Sequence, residues 1–94
     1  MAVKVLIKRK VPQNLESKLL ELLRQLRTHT MNQPGYISGE TLKRLDKPEE
    51  TLVISTWQSV EDWRKWVMSS ERKEIQSEID VFLGTGTEYE LYEY

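Results

Sequence analysis

The stretch Thr51 to Trp66, TLVISTWQSVEDWRKW, changes its hydrophobic period from that of a strand to that of a helix within a few residues. This switch restricts the possible folds more than any other feature. Leu52 to Trp57 is a continuous apolar and β-branched run, too short for a free-standing helix, which is how a strand buried on both faces reads. Leu52, Ile54 and Thr56 share one face; Val53, Ser55 and Trp57 share the other. Ser59 then supplies an N-cap hydroxyl, and Glu61 and Asp62 place negative charge in the first turn, where unpaired N–H groups and the helix dipole favour it. At about 100° per residue, Val60, Trp63 and Val67 fall on one face and are expected to pack on a sheet. Trp66 lies roughly 60° off that face and is expected at its rim, either lining a cavity mouth or packing at an edge.

The segments on either side follow the same two periods. Ala2 to Val11 reads as a strand with Val3, Val5 and Ile7 on one face and Lys4, Lys8 and Lys10 around Leu6 on the other. Pro12 cannot continue a central strand, and Asn14 is a candidate N-cap for a helix in which Leu15, Leu19, Leu22, Leu23 and Leu26 form the apolar stripe. His29 lies on the flank of that stripe near the helix end. A protonated imidazole there complements the C-terminal dipole, with ligand contact or acid–base chemistry as the alternative. Asn32, Pro34 and Gly35 end the helix, and Tyr36 to Leu45 reads as a second strand in which Gly39 suggests a bulge or a bend that lets another backbone or a ligand approach. The polar turn Asp46 to Glu50 joins it to Leu52 to Trp57 as an antiparallel hairpin.

Beyond Trp66 the pattern weakens at Ser69 and Ser70 and resumes with Ile75, Ile79 and Phe82, with Glu71, Arg72, Lys73 and Glu78 outward. This predicts a helix broken or kinked at the serines. Gly84 to Thr87 is a connector; its GTGT precedes a strand and no Lys follows it, unlike a phosphate loop. Glu88 to Tyr94 is the last strand, and its glutamates favour lateral pairing with the basic end of the first. The cluster Lys8, Arg9, Lys10 is accordingly read as solvated or sheet-paired rather than as an anion site.

The element order, strand, helix, strand, strand, helix, strand, predicts an α+β ferredoxin-like βαββαβ fold: a four-stranded antiparallel sheet with two helices on one face. The opposite face would be bare although the central strands are apolar on both sides. A second copy covers it most simply, so a homodimer with sheets packed face to face, a dimeric α+β barrel, is expected. The whole chain, 1–94, reads as one domain, and a domain so small gains from burial in an oligomer. The net charge of −1 argues against a nucleic-acid-binding surface. The absence of cysteine excludes disulfides and thiolate chemistry, and a single histidine argues against a histidine-rich metal site. No segment approaches the length of a membrane span or carries a cleavable leader, so a cytoplasmic protein with no membrane partner is expected.

PGYISGETL, followed by LVISTWQSVEDWRKWVMSSER, resembles the antibiotic biosynthesis monooxygenase family of small dimeric α+β barrels. The match is good from Pro34 to Arg72 and follows by element order elsewhere. Similar domains include anthrone and quinol monooxygenases, haem-degrading enzymes and proteins of unknown role. For the cofactor-free oxygenases the resemblance implies a quinol or polycyclic phenol held between sheet and helices, which passes an electron to dioxygen once deprotonated. Trp66 matches their helix tryptophan. One turn earlier Asp62 stands in place of an amide, and an ionised carboxylate accepts a proton but donates no hydrogen bond. The resemblance to the haem-degrading members fails at the iron ligand, where Gln76 replaces histidine, and Lys8 stands near their first-strand asparagine.

These readings give an expected pocket of Tyr36, Trp57 and Trp66 around a small apolar or aromatic substrate, with Asp62 or His29 as base and no cofactor or metal. The alternative is a non-catalytic dimeric ligand-binding or stress-associated module with the same cavity. RNA binding on the sheet is disfavoured because the central strands lack the aromatic, glycine and basic pattern it needs.

Overall fold

The computed structural model describes residues 1–12, 14, 17–84 and 86–94. Its elements are β1 (Val3–Lys10), α1 (Ser17–Met31), β2 (Tyr36–Lys43), β3 (Glu50–Trp57), α2 (Val60–Val67), α3 (Ser70–Leu83) and β4 (Glu88–Glu93). The strands form one antiparallel sheet in the order β2-β3-β1-β4, the ferredoxin-like α+β arrangement expected from the element order. The second helical segment is two helices, because the Ser69 hydroxyl accepts from the backbone N–H of Arg72 at 3.2 Å and caps a new helix. Asn14 as a cap, Leu15 as part of the stripe and the middle of the GTGT connector depend on positions outside the described residues.

Strand alternation divides the sheet into a helix-covered face and an open one. Val3 and Val5 of β1 and Ser55 and Trp57 of β3 are buried against Leu19, Leu22 and Leu26 of α1, Trp66 of α2, and Ile75 and Ile79 of α3. The opposite face carries Leu6, Leu52 and Ile54, half-buried, and Leu42 on the edge strand at 46% exposure. Nothing within the described chain covers them. β1 and β4 pair as the charge pattern predicts, with Lys8 Nζ 3.0 Å from Glu90 Oε1. The polar turn of the β2–β3 hairpin is bridged by Arg44, which reaches both Asp46 and Glu50 at 2.6 Å.

Trp57 is the centre of this packing. It lies opposite Val3 on one side and Tyr36 on the other, and its ring meets the Tyr36 ring edge-on at 5.5 Å between centroids. Its buried indole N–H donates to Ser55 Oγ at 3.1 Å, so a large apolar side chain is sheltered without an orphaned donor.

Two glycines set the geometry around it. The irregularity in β2 falls between Tyr36 and Ser38 rather than at Gly39, where the sequence suggested it. What approaches Gly39 is a side chain rather than a backbone, since a Cβ there would meet the Tyr36 hydroxyl. Gly35 holds φ +85° while its carbonyl accepts from Gln58 N–H at 2.8 Å, and a Cβ on it would run into the Asp62 carboxyl.

Two substitutions test this account. Ser55→Ala strands the Trp57 indole N–H and is expected to lower unfolding stability by about 1–3 kcal/mol in urea. Gly35→Ala combines a disfavoured φ with a steric conflict and should cost about 1–3 kcal/mol or more. Adding Asp62→Gly, which removes the Cβ that crowds the site as well as the carboxyl, should return only the steric part, so a double-mutant cycle showing no coupling would refute the contact.

Candidate functional site

A cavity of about 480 Å³ lies between the helix-covered sheet face and the helices. That is within the range of small-molecule sites. The sheet contributes Ile7, Val53 and Trp57, α1 contributes Leu23 and Leu26, and α2 contributes Trp63 and Trp66. Tyr36 closes the side next to β2. Most of the lining is therefore apolar and aromatic, because each strand's inward parity and the leucine stripe converge there.

The tryptophans of α2 depart from the single-face expectation. Trp66 is the buried one, at 5% exposure, whereas Trp63, Val60 and Val67 are half-buried. The helical wheel assumed one packing partner, but α2 packs on both β3 and α3. The sector between those neighbours is the sheltered one, and Trp66 occupies it. Trp63 still lines the cavity and tilts against Tyr89 of β4 at 6.0 Å between centroids.

The structure brings Tyr36, Trp57 and Trp66 together around the cavity and leaves Asp62 and His29 out of its lining. Asp62 belongs to the start of α2. Its carboxylate accepts from the Ser59 hydroxyl at 3.0 Å, its backbone N–H donates to the same oxygen at 3.2 Å, and it stands against Gly35. A first-turn carboxylate engaged in this way completes a cap. His29, in the last turn of α1, pairs through Nδ1 with Glu71 of α3 and ties the two helices at the surface. Both candidate bases thus have structural work away from the aromatic lining. Glu40 is the one acidic residue among the described lining positions. It pairs with Ile54, whose parity points to the open face, so it borders the cavity through its backbone side.

Two charged residues at the cavity, Arg9 and Arg72, were not singled out from the sequence. Arg9 was read with the solvated basic cluster, but it shares parity with Val3, Val5 and Ile7 and reaches the cavity. Arg72 was read as outward, yet it is only 9% exposed. Its spacing to Ile75 and Ile79, three and seven residues, was the available signal, masked by Glu71 and Lys73 beside it. Phe82, placed inward by the same stripe, is 38% exposed at the helix end.

Arg72, Tyr89, Gln76 and Arg9 form one network. Arg72 lies over the Tyr89 ring at 5.2 Å and donates to its hydroxyl, and that hydroxyl donates to Gln76 Oε1 at 3.5 Å. Arg9 Nη2 donates to the same Gln76 oxygen at 3.2 Å. Gln76 Nε2 donates in turn to Asp80 at 2.9 Å and Thr87 at 3.1 Å. Burial pushes the Arg9 pKa below its ordinary value; Tyr89 opposes this, Arg72 adds to it, and Asp80 opposes it. An amide engaged through both its oxygen and its nitrogen is no axial ligand for haem iron, so the residues here do not fit that cofactor. Among the described residues no group of three or more His, Asp or Glu side chains is placed to hold a metal ion, and no helix is long and apolar enough to cross a membrane.

Comparison with known proteins places this geometry in a family. The family model described as antibiotic biosynthesis monooxygenase matches residues 2–78. No curated protein matches the chain. Among solved structures, a conserved protein from Methanosarcina mazei Go1 superposes with a TM-score of 0.85 at 22% identity, covering 99% of this chain and 92% of that one. SnoaB, a cofactor-independent oxygenase from Streptomyces nogalater, superposes at 0.82 with 15% identity over 99% and 92% of the two chains. Rv0793 from Mycobacterium tuberculosis does so at 0.82 with 16% identity over 100% and 95%. At such identities the structures speak for the fold, and the sequence model, spanning most of the chain, speaks for descent: the chain belongs to the antibiotic biosynthesis monooxygenase family.

Proposed function

We propose that this protein is a cofactor-independent monooxygenase of a small quinol or polycyclic phenol, which binds in the cavity between sheet and helices. The observation that carries the reading is the cavity itself: about 480 Å³, with Trp57, Trp63, Trp66 and Tyr36 around it, in a chain of this family. Flat aromatic walls suit a flat aromatic ring. The ionised substrate supplies all four electrons: a ring C–H bond breaks, one oxygen atom of dioxygen stays on that carbon as the substrate is oxidised to the quinone level, and the other leaves as water. The protein's part is to orient the ring, exclude bulk water and favour the ionised form. Trp66 and Trp57 act as walls, and Tyr36 closes the side next to β2. Asp62 and His29 are outside this set, because their side chains serve the α2 cap and the α1–α3 contact. The same cavity holding a ligand without turnover is the second reading, favoured by the lack of an inward carboxylate or imidazole side chain among the described lining residues.

A second copy of the chain covers the open sheet face. Leu6, Leu42, Leu52 and Ile54 form an apolar band there that the described part of one chain leaves to solvent, and burial of such a band stabilises association by roughly 25 cal/mol per Å².

Oxygen uptake measured with a panel of hydroquinones is expected to show turnover. Trp66→Ala should lower kcat/KM by about tenfold to a hundredfold, whereas Asp62→Asn and His29→Gln should stay within about threefold of the parent. No uptake with any quinol, together with a quinol that binds, would favour the ligand-holding reading. Light scattering at micromolar concentration should give twice the chain mass, and Ile54→Lys, which places a charge in the middle of the band, should give the single chain. A parent protein of single-chain mass would rule the pairing out.

A further inference from the structure

We infer that the ligand of this cavity carries a carboxylate, which docks on Arg9 and Arg72. The inference rests on the cavity being a ligand site, as proposed above, and names the chemical class that it takes.

Four arginines, Arg9, Arg24, Arg27 and Arg72, border an otherwise largely apolar space, against the single acidic residue Glu40 among the described lining positions. Arg9 and Arg72 are the sheltered pair. They are joined only through neutral groups, the Tyr89 hydroxyl and the Gln76 amide. Neither forms an ion pair among the described residues, where the salt bridges are Lys8–Glu90, His29–Glu71 and those of Arg44. Asp80, whose charge acts on Arg9, accepts its hydrogen bond from Gln76.

A buried charge normally has a partner, and a guanidinium cannot relieve its burial by losing a proton at neutral pH. Two such cations close enough to oppose one another, in a cavity walled by indole and leucine, raise the demand for a negative group. Arg9 Nε sharpens the point: it is buried with no hydrogen-bond partner. The planar guanidinium fork matches a carboxylate in geometry, and the charge-assisted bonds so formed are stronger than neutral ones. The aromatic walls then hold the body of the ligand. A phenol bearing a carboxylate satisfies both halves of the cavity, with the fixed anion setting which ring edge meets dioxygen.

β-Naphthoate and β-naphthamide, one anionic and one neutral with the same ring, separate the two halves of this idea by isothermal titration calorimetry on the native protein. The naphthoate should bind at least about tenfold more tightly, as expected for a charge-assisted contact. Arg9→Gln and Arg72→Gln should each remove most of that preference and leave naphthamide affinity within about twofold. The side-chain N–H resonances of Arg9 and Arg72 in the unsubstituted protein should shift with naphthoate and not with naphthamide, which keeps the test decisive if either variant fails to fold. Equal affinities, or a preference that survives both substitutions with stationary arginine resonances, would overturn the carboxylate subsite and leave the aromatic cavity standing. Failure of both compounds to bind would overturn the cavity reading and this inference together.

Discussion

Burying one indole without leaving its N–H unpaired is the constraint on which the rest of this structure depends. Trp57 lies at the end of β3, opposite β1 on one side and β2 on the other, so its shelter requires both neighbours to be in register. Ser55, two residues earlier on the same face, accepts the indole proton. A one-residue slip of β3 would send both side chains to the open face and bring Leu52 and Ile54 in their place. The helices close over the correct register because Leu22, Ile79 and Trp66 complete the same core. The cavity is the space left beside that core, where the aromatic rings and the leucine stripe do not meet.

Much of this was legible because both hydrophobic periods are local. The alternation in β1 and β3, the Ser59 cap, the break at Ser69 and Ser70 and the acidic face of β4 each depend on a few neighbouring residues, and they fix element order and pairing. The site was less legible because it depends on where helices lie relative to one another. A helical wheel treats the core as lying in one direction, but α2 meets a strand and a helix, and the protected sector rotates toward Trp66. The same limitation applies to Arg72. Charge alone sent it outward, although its spacing to Ile75 and Ile79 placed it on the buried side.

Asp62 and His29 show how a local structural demand and a chemical role can draw on the same residue types. Titratable residues near a helix tryptophan or a leucine stripe attract a chemical role, but a carboxylate in a first turn and an imidazole in a last turn also suit the ends of a helix. Here each satisfies that local demand and makes a contact that fastens elements together: Asp62 to Ser59 and Gly35, His29 to Glu71. The charged groups that reach the cavity arrive from strand parity and from the inward face of α3. Neither route produces a compact motif along the chain, which is why Arg9 and Arg72 stand sixty-three positions apart in sequence and converge only through Gln76 and Tyr89.

The bare backbone at Gly39 bears on the cavity. Tyr36 can seat its hydroxyl there only while that position lacks a side chain. A methyl group there would force the phenol hydroxyl to move, and the ring that carries it is the one in edge contact with Trp57. One position outside the tryptophan-bearing helix therefore governs the outline of the cavity from the sheet edge.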